Sequence, residues 1–99
     1  MVEKIIWTPE SEKSFDAVVA YLNGKWSDRE VKFFIERANT VIEHIAHYPL
    51  SYRSAGKDDV REALITKQNL LLYRIVGETI YLLYFWDTRR NPATKPIQK

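Results

Sequence analysis

Near residue 50 the apolar side chains of this 99-residue chain change their spacing, and that change restricts the fold more than any single motif. Before it, Phe15, Val18, Val19 and Leu22 recur at helical intervals, as do Val31, Phe34, Ile35, Ala38, Val41, Ile42 and Ile45. Residues three and four apart share one face of a helix, so each set forms one apolar stripe. After it, residues 60–66, 70–76 and 79–87 are short runs rich in β-branched, leucine and aromatic side chains, which is the composition of strands. A chain of this kind folds as helices followed by a sheet, in two layers.

Local signals place the boundaries. Residues 2–7 read as a first strand, closed by Thr8-Pro9, where proline suits the first helical position and threonine can accept from the free amides. Glu10 and Glu12 suit the positive end of that helix, and Asn23-Gly24 is expected to stop it. Ser27-Asp28-Arg29-Glu30 has the form of a capping box, and Tyr48-Pro49 closes the second helix. The short link predicts an antiparallel helical hairpin. Residues 51–59 read as a polar loop, Lys67-Gln68-Asn69 as a turn and Gly77-Glu78 as a tight hairpin turn. The expected fold is α+β, ordered β-α-α-β-β-β: an antiparallel meander joined by the first strand, with the helical hairpin on one face. One domain is expected over residues 1–99, with 93–99 as a short basic tail.

Strict alternation sends Tyr73 and Ile75 to one face of the sheet and Leu72 and Arg74 to the other. In the last strand it opposes Ile80, Leu82, Tyr84 and Trp86 to Tyr81, Leu83, Phe85 and Asp87. Both sets are apolar or aromatic, so both faces require cover, and the helices supply it for one. The second face is expected to await a partner.

Composition narrows the chemistry. With no cysteine there are no disulfides and no thiolate metal sites. No apolar run is long enough to span a membrane and the start has no signal-peptide order, so a cytoplasmic location is expected. His44 and His47 sit three apart near a helix end, without an evident third ligand, and read as surface residues rather than a metal site. No metal and no cofactor is expected. No nucleophile elbow or glycine-rich phosphate loop is present. Charge is uneven: residues 1–50 hold six Lys/Arg against eight Asp/Glu, and residues 51–99 hold nine against five. Every charged residue after Asp87 is basic: Arg89, Arg90, Lys95 and Lys99. Such a half suits a polyanion or an acidic protein. Arginine grips phosphate in a planar fork, but Arg74 can equally pair with Glu62 across the strands, and Asp87 with Arg89 or Arg90.

Trp7-Thr8-Pro9-Glu10, a helical hairpin, Tyr73-Arg74-Ile75-Val76, the strand 80–86 and Asp87-Thr88-Arg89-Arg90-Asn91-Pro92 follow one another in an order that resembles the RelE/ParE superfamily. These are toxins of bacterial type II toxin–antitoxin modules. The resemblance implies a small toxin neutralised by a cognate antitoxin that wraps it, and makes Leu72, Tyr84 and Trp86 candidates for antitoxin contact. It leaves the target open: RelE-like members cut mRNA on the ribosome without metal, whereas ParE-like members inhibit DNA gyrase. For a nuclease, Arg61 with Arg89 or Arg90 would take the catalytic roles; Arg74, Lys67 and Lys95 are candidates for target contact. Ala63 and Leu70 stand where a RelE-like nuclease carries more basic side chains, and no Tyr, His or Glu follows Asp87. The alternative is a non-toxic interaction module of the same fold that binds a protein or self-associates.

Overall fold

The computed structural model describes residues 2–56 and 59–88. Strand β1 (Lys4–Trp7) leads into helices α1 (Pro9–Lys25) and α2 (Asp28–His47); a single 3-10 turn (Pro49–Ser51) follows. The sheet is completed by β2 (Arg53–Ser54), β3 (Val60–Thr66), β4 (Asn69–Val76) and β5 (Thr79–Asp87). Its five strands run in the order β1-β5-β4-β3-β2. The meander is antiparallel as expected, while β1 joins β5 in parallel, so the sheet is mixed. No described helix is long and apolar enough to cross a membrane.

The helices lie together on one face. Phe34, Ala38, Val41 and Ile45, spaced along α2, are buried against Ala63, Ile65, Leu71, Tyr73, Ile80, Leu82 and Phe85 of the sheet. Full burial of each large apolar side chain contributes about 1.5–3 kcal/mol, so this stripe holds the two layers together. An aromatic knot locks α1 to the same core: Phe15 lies 5.4 Å from Phe34 and 5.2 Å from Phe85, and Trp7 stacks on Phe85 at 5.7 Å between ring centroids.

Several local expectations are corrected. Helix α1 does not stop at Asn23-Gly24 but runs on to Lys25, because one glycine near a helix end costs only about 1 kcal/mol. Thr8 does cap it, accepting from the Ser11 amide at 3.1 Å. The box at Ser27 does not form: its side chain makes no cap hydrogen bond, and the Glu30 amide bonds to the Ser27 carbonyl instead. The loop after α2 contains β2, which pairs with Arg61 and Glu62.

The largest correction concerns β5. Tyr73 pairs with Leu82 but Leu72 pairs with Tyr84, so Leu83 is an extra residue in the strand. Such a bulge reverses the alternation beyond it. Ile80, Leu82 and Phe85 therefore all face the helices, while Leu83 and Tyr84 pack behind the sheet on Ala55, Val60 and Leu72. That second cluster also means the far face is partly covered from within the chain.

Candidate functional site

The basic residues expected to act together divide between the two faces. Arg61 pairs with Tyr73 on the helix side, and its Nη1 donates to the Tyr52 carbonyl at 2.6 Å. Tyr52 shares a 2.7 Å hydrogen bond between its hydroxyl and His44 Nδ1 and stands edge-on to Tyr73, whose hydroxyl donates to the Pro49 carbonyl at 2.6 Å. Burial raises the pKa of both phenols; Arg37 opposes this at Tyr52, and Arg61 opposes it at Tyr73. The network ties the segment after α2 to the sheet, which is a structural duty for Arg61. His47 Nδ1 donates to the Glu43 carbonyl at 3.0 Å, and no three His, Asp or Glu side chains converge among the described residues.

Arg74 lies on the opposite face, in a row with Val60 and Tyr81. The Glu62–Arg74 pair weighed from the sequence is not made: Glu62, on the same face, accepts from Arg53 instead, through Nε at 3.0 Å and through Nη2. β2 was not anticipated, and it brings Arg53 directly opposite Glu62. Leu72 and Trp86 lie on this far face but are buried, and Tyr84 beside them is half-buried. Of these three candidates for antitoxin contact, only Tyr84 presents appreciable surface. Lys67 is exposed in the β3–β4 turn. Arg89, Arg90 and Lys95 lie outside the described residues.

A surface that sequence reasoning missed lies between α2 and the β3–β4 hairpin. A groove of about 520 Å³ is lined by Trp26, Phe33, Leu64, Arg37 and Lys67, among others. Three of its large apolar side chains are half exposed: Trp26 at 52%, Phe33 at 52% and Leu64 at 54%. Arg37 Nε donates to the Ile65 carbonyl at 3.1 Å, fixing the guanidinium at the groove wall. Phe33 stands off the apolar stripe of α2 beside Phe34, and a large aromatic out of phase with its helix was the available signal.

The sequence matches the family model described as the ParE toxin of the type II toxin–antitoxin system parDE, over residues 5–92. No curated protein matches it. Among solved structures it is similar to a YoeB/ParE toxin from Agrobacterium tumefaciens, with TM-score 0.64 and 16% identity over 86% of this chain and 98% of that one. It is also similar to a chain of the chromosomal ParDE system from P. aeruginosa, with TM-score 0.64 and 14% identity over 88% and 96%. A chain of the YoeB–YefM complex from Staphylococcus aureus gives TM-score 0.60 and 11% identity over 87% and 95%. At such identities the likeness is one of fold.

Proposed function

The chain belongs to the ParE toxin family of type II toxin–antitoxin systems, and from that premise we propose that an antitoxin silences it and that it acts by binding DNA gyrase rather than by cutting RNA. The observation that carries the choice is the placement of Arg61 and Arg74 on opposite faces of the sheet. A metal-free nuclease needs a base, an acid and a cation converging on one phosphodiester, each within hydrogen-bond reach of the reacting atoms. Arg61 instead spends a donor on the Tyr52 carbonyl. Ala63 is fully buried in the helix-side core and Leu70 pairs with Trp86, so neither position offers a substitute cation.

A protein antitoxin is supported by the groove. Half-exposed Trp26 and Phe33 are the kind of apolar surface that a protein partner covers, with Arg37 and Lys67 at the groove's rim for acidic side chains. Purified chain added to gyrase is expected to block supercoiling and to leave mRNA on programmed ribosomes intact. Cleaved mRNA with normal supercoiling would reverse the assignment. Harmless overexpression without any antitoxin would favour a non-toxic interaction module instead.

A further inference from the structure

Helix α2 ends at His47, and the chain turns at once through Pro49–Ser51. Hydrogen bonds brace that turn. The Tyr73 hydroxyl donates to the Pro49 carbonyl at 2.6 Å, and the Ser51 hydroxyl and amide both donate to the Tyr48 carbonyl, at 2.8 and 3.1 Å. Yet the two large side chains here face water: Leu50 is 70% exposed and Tyr48 60%, the highest values among the described large apolar residues. A braced turn that displays apolar side chains has already given up freedom that binding would otherwise cost. Beside it, between the end of α2 and the β4–β5 turn, opens a cup of about 420 Å³. Val2 and Ile75, both packed against the main core, line it with Leu50, and the helix and the hairpin turn bring His47 and Glu78 to it.

We infer that this cup is a self-association surface, in which Leu50 of each of two copies enters the cup of the other about a two-fold axis. A two-fold interface uses one patch twice, so it needs a projection and a hollow side by side. Leu50 and the cup supply both. The interface also needs charges that match when exchanged, and the rotation sets each Glu78 opposite His47 of the other copy. An acidic partner finds no such match: no lysine or arginine lines the cup, whereas Arg37 and Lys67 line the groove. Phe33 of that groove stands fourteen residues before His47 on the same helix, about 21 Å away at 1.5 Å per residue. A dimer formed through the cups therefore leaves both grooves open, and it does not depend on the choice of antitoxin or target.

Sedimentation equilibrium of the full chain is the test. The weight-average mass is expected to rise from that of one chain toward that of two as concentration reaches the submillimolar range. Leu50→Asp is expected to hold the mass at one chain throughout, with an unchanged melting temperature because Leu50 already faces water. Glu78→Lys should weaken the dimer about tenfold, His47→Glu should do likewise, and the double variant should recover most of the loss. If Leu50→Asp lowers the melting temperature, this charge exchange decides alone. Dimers that persist in a stably folded Leu50→Asp chain would overturn the inference, as would a double variant no tighter than either single one. A native chain that keeps the mass of one chain at every concentration would also overturn it; loss of gyrase inhibition or of antitoxin affinity in Leu50→Asp would then give the cup to that partner.

Discussion

The Ser14 hydroxyl oxygen accepts a hydrogen bond from the Phe85 amide at 2.9 Å, joining α1 to β5 just past the point where β1 stops pairing. Thr8 does the same one step earlier, its hydroxyl donating to the Leu82 carbonyl at 2.7 Å. Two small hydroxyls thus complete a sheet edge that β1 leaves open, and they allow α1 to pack close. Ser14→Ala leaves a buried amide unmatched, which is expected to cost about 1–3 kcal/mol. Urea denaturation followed by tryptophan fluorescence checks it; an unchanged midpoint would mean that the edge finds another acceptor.

Two glycines are expected to respond in opposite directions to the same change. Gly24 lies inside α1, where an added Cβ meets nothing within 4 Å, so Gly24→Ala should raise stability by about 0.5–1 kcal/mol. Gly77 has φ +60 in the β4–β5 hairpin, so Gly77→Ala should lower stability by about 1–2 kcal/mol through left-handed strain alone. Paired thermal melts measure both signs at once.

Much of this architecture was legible in the sequence, for reasons that also mark its limits. Helix α2 was clear because Phe34, Ala38, Val41 and Ile45 keep one stripe and all four are buried. The bulge at Leu83 was not, because Tyr84 and Phe85 are both apolar and alternation cannot choose which one turns inward. The same ambiguity misplaced the second face: Phe85 belongs to the main core, and Ala55, from a segment read as polar loop, closes over Leu72. Arg74 was legible as a candidate contact, but that Glu62 bonds to Arg53 rather than to Arg74 was not. That follows from a two-residue strand too short to announce itself.

Alkaline pH should weaken the chain through its buried phenols. Burial pushes the Tyr73 hydroxyl above its ordinary range, and Tyr52 is raised for the same reason. Above pH about 10 the unfolded chain loses these protons while the folded chain keeps them, so stability declines as pH rises from that point. Below it, this contribution is fully present. Tyr73→Phe should flatten the decline, at a cost of about 0.5–1.5 kcal/mol for the hydrogen bond to Pro49. Urea midpoints of both chains between neutral and strongly alkaline pH give the comparison; parallel declines would assign the effect elsewhere.

The groove makes the sharpest demand on the proposed partner. Trp26, Phe33 and Leu64 are each about half exposed, so trimming them removes little from the free chain. Phe33→Ser should shift the free chain's stability by no more than about 0.5 kcal/mol, the usual range for surface positions. If the groove seats the antitoxin, the same change removes a large apolar anchor and should weaken binding by more than tenfold, a loss of about 1.4 kcal/mol or more. Trp26 supplies an internal reporter, since its indole lines the groove and its emission should move to the blue when a partner excludes water there. The position of α2 accounts for both effects: Phe34 faces the core and holds the helix, which leaves Phe33 free to face outward. A Phe33→Ser chain that binds the antitoxin with native affinity would show that the partner lies elsewhere on the molecule.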